Sequence, residues 1–535
     1  MKKTRRFASL ATAAILAACA VVPATMSALP VSAADITITG VSTAQAHTFE
    51  VYQIFTADIA EGTNGEQVLS NVKWGSGITS YDGTAVTAGT VVDEAVLSSI
   101  VTGNDARDVA SKCTLSATKA CADVTSVGET ATITGLADGY YIVKDVTDLS
   151  SKDDANSAYI VQVAGDTTVA IKNAKPTVDK QVLDETGDAE EGANEGWGES
   201  ADHAINESFQ FKLTATVPVN ADLKAYKSYQ LMFEDSMSTG VTFDSIASVT
   251  VKSGNAKKTL TAADYTETAT AETNKAGLSW TLKIDDLKKK LPENVKLGEN
   301  EIQVEVVYNA HLNENAVVSK TSNDNIGEAD INNNKVDLVY SNNPDSTGKG
   351  DKDTGKTPED YVYVFTYGVD NTKYKNAVGE GNALKDAGFT LYDKTGTTET
   401  EISLIYDTDK GAYRPTTGSE TGGEMKSATD GKFNIIGLDA GTYVLKETST
   451  PAGYNTCAPI NIVISAVHKE NTDGTSVKLD LAGSENMTNA VINKSGSSLP
   501  STGGIGTTIF YVAGGVLVVG AGVLLITKKR AKDAQ

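Results

Sequence analysis

The sequence predicts an all-β fold of several antiparallel β-sandwiches in tandem. Three observations carry this. Apolar and β-branched residues alternate in short runs: Asp35 to Thr39, Phe209 to Val217, Glu301 to Tyr308, Tyr361 to Tyr367 and Ile460 to Ile464. Clusters of Gly, Asn, Asp and Thr separate these runs and supply turns. Helical spacing is confined to short stretches, around Glu94 to Val101 and Asp285 to Lys290, too few for parallel α/β units. A chain of 535 residues has room for about three such domains.

Composition excludes several function classes. The 46 basic residues stand against 69 acidic ones, a net charge of −23. A nucleic-acid partner is therefore not expected. The four histidines and four cysteines show no metal-ligand spacing. No metal and no cofactor is expected, and His47, His203, His311 and His468 form no recognisable triad with a nucleophile.

The two ends address the chain. Lys2, Lys3, Arg5 and Arg6 precede an apolar stretch, and small residues follow to Val31-Ser32-Ala33-Ala34. Residues 1–33 read as a secretory signal peptide. Near the other end, 505–527 is an apolar run long enough to span a bilayer. Lys528, Lys529, Arg530 and Lys532 then hold the tail in the cytoplasm. Leu499-Pro500-Ser501-Thr502-Gly503 stands just before the span. This order, pentapeptide then span then basic tail, resembles the sorting signal of Gram-positive cell-wall proteins. The resemblance implies that a sortase cleaves between Thr502 and Gly503 and passes the Thr502 carbonyl to an amine, leaving the protein on peptidoglycan.

Between the ends, polar stretches divide the chain into three expected domains: 34–173, 174–345 and 356–494, followed by the sorting signal at 499–535. Asp184 to Asp202 reads as an acidic surface insertion and Asn342 to Asp360 as a linker. One repeat relates the first and last domains. Ile133-Thr134-Gly135-Leu136-Ala137-Asp138-Gly139-Tyr140-Tyr141 runs on to Asp145, and Ile435-Ile436-Gly437-Leu438-Asp439-Ala440-Gly441-Thr442-Tyr443 runs on to Glu447. Both read as a turn entering a strand that ends in an acid.

The second copy, with Pro451-Ala452-Gly453-Tyr454 after it, resembles the Cna-B-type domains of Gram-positive surface proteins. That resemblance implies an immunoglobulin-like β-sandwich with an intramolecular Lys–Asn isopeptide bond. The chemistry is intelligible on its own terms. Burial keeps a lysine amine neutral and nucleophilic, and keeps a nearby carboxyl protonated. The protonated acid can polarise the asparagine carbonyl, and the fold supplies proximity. By resemblance the set in the last domain is Lys373, Glu447 and Asn493, with Lys375 as an alternative nucleophile.

The middle domain opens with Pro176 to Val182, contains Phe233 to Phe243, and closes with Lys335 to Pro344. These pieces resemble the middle domain of sortase-assembled fimbrial backbone subunits. The implied roles are Lys180 as nucleophile, Asn342 as electrophile and Asp235 as the promoting acid. Glu234 competes for the acid role, because adjacent strand residues face opposite sides. In the first domain Asp145 has no lysine to serve, since none occurs between Asp35 and Val72. No crosslink is expected there.

Fimbrial backbone subunits place an acceptor lysine before the middle domain. Lys172, beside Asn173, is the candidate, with Lys175 as the alternative. Cys113 and Cys121 lie close enough for a small disulfide loop, which export permits, while Cys457 is expected unpaired and buried. The sequence thus reads as a structural subunit of a covalent surface fimbria, not an enzyme. Its implied partners are a sortase, other copies of itself, peptidoglycan, a tip adhesin, and host or bacterial surface receptors. The alternative is a wall-anchored adhesin that stays monomeric.

Overall fold

The computed structural model describes residues 33–61, 67–97, 106–163, 165–171, 174–184, 196–269, 277–344, 346, 353–471, 476–482 and 487–496. The signal peptide, Lys172, Asn173, the pentapeptide residues Leu499, Pro500, Thr502 and Gly503, and the apolar span lie outside the described residues. Among the described residues, no helix is long and apolar enough to cross a membrane. The chain is built of β-sheets and divides into two compact units.

The first unit comprises the chain up to Thr366 together with Ala466–Leu481. Near its start, Ala34–Thr39 pairs antiparallel with Thr130–Leu136 and parallel with Thr167–Ala170. Thr48–Glu61 pairs with Gly139–Asp145 on one side and Gln67–Trp74 on the other. Two apolar cores result. One gathers Ile36, Ile38, Phe49 and Ile133; the other gathers Ile54, Phe55, Trp74 and Tyr81.

Further along the same unit, two sheets share one larger core. In the first sheet Thr177–Leu183, Ser208–Val217, Ile302–Leu312 and Val241–Ser253 are successive antiparallel neighbours. In the second, Leu231–Met237 lies between Ser279–Ile284 and Asn332–Ser341. The alternation in the sequence is what builds this core. In Ile302–Leu312 every second residue, from Ile302 through Tyr308 to Leu312, is buried. The helix expected around Asp285 to Lys290 is a single 3-10 turn, Leu287–Lys289, capped by the Asp286 side chain.

The last domain boundary differs from the expected one. Asp360–Phe365 pairs antiparallel with Asn332–Ser341, and Thr354–Lys356 pairs with the same strand. The stretch read as a linker is thus tied into the first unit, and the division falls between Thr366 and Tyr367. Tyr361 to Tyr367 looked like one strand because both halves are apolar. The backbone instead breaks at Thr366.

The second unit holds residues 367–465 and the chain from Ala482 onward. Tyr367–Lys375 pairs antiparallel with Ile435–Leu438 and parallel with Thr488–Asn493. Gly388–Thr395 pairs with Gly441–Ser449, which pairs in turn with the opening residues of Ile460–Glu470. Phe389 and Phe433 stack at 4.2 Å between ring centres.

The repeat is a repeat of structure. Gly135 and Gly437 have φ of 75° and 78°, a left-handed conformation that suits glycine. Tyr141 donates its hydroxyl hydrogen to the Ala137 carbonyl at 2.7 Å, and Tyr443 does the same to Asp439 at 2.9 Å. Each tyrosine fastens the turn that enters its strand, and each strand delivers its acid, Asp145 or Glu447, into a buried position.

Candidate functional site

Three buried polar centres stand out, two of them built around a lysine. In the first unit, Thr177–Leu183 alternates so that Lys180 points inward, where it is fully buried. Its amine hydrogen-bonds to Asp235 Oδ2 and donates to the Tyr308 hydroxyl at 3.0 Å. Tyr308 donates to Asp235 Oδ2 at 3.0 Å, and Trp280 Nε1 donates to Oδ1 at 3.1 Å. Phe211 and Tyr308 present their rings to the amine at 5.3 and 5.5 Å. Burial lowers the Lys180 pKa and raises that of Asp235, with their mutual attraction opposing both shifts. Both directions favour the neutral amine and the protonated acid. Glu234 faces the other way and pairs with Lys356 at 2.8 Å.

The asparagine at this centre is Asn334. It is fully buried, and its Nδ2 donates to the Tyr308 hydroxyl at 2.6 Å. Its Oδ1 has no hydrogen-bond partner. Register explains the placement: Asp235 lies opposite Val336, so Asn334 is its diagonal neighbour on the same face.

The expected Asn342 is a correction. It is buried, but its amide donates to the Leu149 carbonyl at 2.8 Å. At ~3.3 Å per strand residue it sits roughly 26 Å further along the chain than Asn334. Position near the end of the last strand suggested Asn342, whereas the neighbouring strand's register selects Asn334.

In the second unit, Lys373 and Asn493 are fully buried, and the Lys373–Glu447 ion pair is inaccessible to solvent. The parallel pairing of Tyr367–Lys375 with Thr488–Asn493 brings the lysine and asparagine strands side by side. Lys373 Nζ donates to Asn493 Oδ1 at 2.5 Å and lies 3.2 Å from Glu447 Oε1. Asn493 Nδ2 donates to Glu447 Oε1 at 2.6 Å. The Cys457 backbone N–H donates to Glu447 Oε2 at 2.7 Å, orienting the carboxyl. Lys375 is only half-buried and lies at the strand's end. All three candidates in this unit, Lys373, Glu447 and Asn493, meet within hydrogen-bonding distance.

The third centre has no lysine. His47 Nδ1 lies 2.6 Å from Asp145 Oδ2, and Nε2 lies 3.1 Å from Asp154 Oδ2. Burial opposes the imidazolium, yet hydrogen bonds and charge from the two aspartates outweigh it and raise the His47 pKa to about 9. The sequence showed that Asp145 had no lysine partner. It gave no sign that a histidine would take the place.

Two cysteine expectations are corrected. Cys113 and Cys121 are free thiols. Cys113 packs on the core around Trp74, and its thiol donates to the Val109 carbonyl at 3.2 Å. Cys121 packs on the other core, around Phe49. Closeness in sequence did not reveal that two separate cores claim them. Burial pushes the Cys113 thiol up to about 12. Cys457 is a free thiol but half-buried, with its sulfur 3.7 Å from Lys373 Nζ. Lys175, the alternative acceptor, is exposed and pairs with the Asp153 carboxylate.

Residues 371–478 match the SpaA prealbumin-like fold domain, and residues 492–533 match the LPXTG cell wall anchor motif. The chain is a cell-wall-anchored surface protein. The stretch of the surface protein that matches the SpaA prealbumin-like fold domain holds the Lys373–Glu447 pair, and Asn493 lies within the anchor match. Among solved structures, it is similar to the T6 backbone pilin of serotype M6 Streptococcus pyogenes, at 16% identity and TM-score 0.49, over 88% of this chain and 100% of that one. It is also similar to the full-length major pilin SpaD from Corynebacterium diphtheriae, at 16% identity and TM-score 0.44, over 87% and 98% of the two chains. RrgB from Streptococcus pneumoniae matches at 15% identity and TM-score 0.41, over 88% and 99%. A search of curated proteins gives no significant match.

Proposed function

We propose that this surface protein is the repeating structural subunit of a covalent fimbria, crosslinked within itself and to its neighbours. The observation that carries the reading is the pair of buried lysine–acid–asparagine centres in a chain that ends in a wall anchor. Such centres suit a polymer under tension, because each would join a strand near the start of its domain to one near the end.

The internal step balances simply. The neutral Lys180 amine attacks the Asn334 side-chain carbonyl carbon, with Asp235 hydrogen-bonding the oxygen as charge develops there. The C–N bond to the asparagine nitrogen breaks, that nitrogen leaves as ammonia with a proton from the lysine, and a secondary amide remains. Asp235 relays the proton and ends as it began. Lys373, Asn493 and Glu447 take the same roles in the second unit. Apolar surroundings and fixed proximity supply the driving conditions, so no cofactor enters.

Between subunits, a sortase transfers the Thr502 carbonyl to Lys172 of another copy. A donor and an acceptor on each chain are unlike sites, so joining them makes an open filament rather than a ring. The last subunit is transferred to a peptidoglycan amine instead. The test is the high-mass ladder in wall extracts. Lys172→Ala should abolish the ladder while monomer remains wall-attached. Loss of the ladder in Lys175→Ala instead moves the acceptor by three residues. A protein seen only as wall-attached monomer in the unmutated strain would overturn the fimbrial reading and leave the monomeric adhesin.

A further inference from the structure

We propose that Asp184, Asp202 and His468 form a structural binding site for a divalent transition-metal cation of the zinc class. All three lie in the first unit and all are buried. They reach the site from separate elements. Asp184 follows the strand Thr177–Leu183, Asp202 ends the strand Ser200–Asp202, and His468 lies in the segment Ala466–Leu481. One donor atom from each falls within 4.8 Å of the others.

The distances are poor for hydrogen bonds and good for ligation. His468 Nε2 is 3.4 Å from Asp184 Oδ2 and 3.8 Å from Asp202 Oδ1. Oxygen and nitrogen ligands at ~2.0–2.2 Å from a tetrahedral centre stand about 3.4 Å from one another. Asp202 is 1% exposed, yet neither of its carboxylate oxygens has a hydrogen-bond partner, and neither does His468 Nε2. Buried polar atoms left this way are costly, and a cation between them satisfies all three together.

The imidazole is also held as a ligand should be. Its Nδ1 lies 2.8 Å from Ser200 Oγ. With Nδ1–H donating to the serine, the lone pair on Nε2 points at the two carboxylates. The Phe365 ring, 5.5 Å from the imidazole, packs beside it. Two carboxylates, a neutral imidazole and a divalent cation sum to zero charge, the arrangement that burial penalises least. A nitrogen ligand disfavours calcium and magnesium, which prefer all-oxygen sites. The cation would staple both flanks of the acidic insertion to a segment brought from far along the sequence. No sequence spacing hints at such a set.

The test uses the whole exported chain, 34–502, with zinc alone as the probe. After equilibration with zinc and dialysis, elemental analysis should find one retained equivalent per chain. Asp202→Asn and His468→Gln should each lose it while circular dichroism stays that of a β protein. Chelator should lower the melting temperature of the unmutated chain, and added zinc should restore it. Absence of retained zinc in the unmutated chain overturns the proposal, as does its retention in both variants. Should either variant fail to fold, the chelator response of the unmutated chain decides: an unchanged melting temperature overturns the site. The crosslinks are read separately by mass, so failure here leaves the fimbrial reading untouched.

Discussion

A charged lysine is expensive to bury, and Lys180 and Lys373 are both fully buried. At Lys180 burial lowers the lysine pKa and raises that of Asp235, both toward the neutral pair that costs least to bury. In the proposed reaction the neutral pair is also the reactive one. The exported chain should therefore weigh less than its sequence by two molecules of ammonia in intact-mass measurement. Asn334→Ala should restore one ammonia and Asn342→Ala none; the reverse result would reinstate Asn342. His47 gives a pH prediction. Its folded pKa, about 9, lies above the ordinary value near 6.5. Its stabilising contribution is therefore complete below about pH 6.5 and is lost as pH rises through about 9. By that shift the loss is on the order of 3 kcal/mol. Urea unfolding at pH 6.5 and 9.5 should show it in the unmutated chain, with a smaller difference in His47→Gln. Residue identity was partly legible beforehand. Strand parity says that only one of Asp235 and Glu234 faces inward; the structure turns Asp235 in and Glu234 out. Parity could not choose between Asn334 and Asn342, which share a parity. Only the register against Leu231–Met237, a non-local fact, makes that choice.

At the scale of elements, the strands were the most legible part of the chain. Alternating burial in Ser208–Val217 and Ile302–Leu312 follows directly from alternating side chains. Partnership between strands was less legible. Asp360–Phe365 is apolar enough to join either unit, and its pairing with Asn332–Ser341 assigns it to the first. The cysteines failed as a guide for a similar reason, since two cores lie between neighbours in sequence. The proposed Lys373–Asn493 bond would close a loop of 120 residues between two parallel neighbours. By the chain-entropy argument used for disulfides, that is worth about 5 kcal/mol. Glu447→Ala should leave the sandwich folded but uncrosslinked. Its second unit should then melt at lower temperature and be cut faster by trypsin. Unchanged melting and protease resistance would mean that Glu447 promotes no bond.

For the whole molecule, the anchor and the crosslinking centres describe one mechanical design. In the proposed fimbria, tension entering at a subunit junction would pass through sandwiches whose early and late strands are covalently joined. The wall anchor was legible because its order of parts is linear in sequence. The centres were legible only where a linear motif carried them, as at Glu447. The Asp184, Asp202 and His468 cluster, assembled from distant segments, was not. The most direct measurement is tandem mass spectrometry of tryptic peptides from purified wall material. The account predicts branched peptides joining Thr502 to Lys172, alongside branched peptides joining Lys180 to Asn334 and Lys373 to Asn493. Thr502 found only on peptidoglycan, with Lys172 and every other lysine of the chain unmodified, would contradict it.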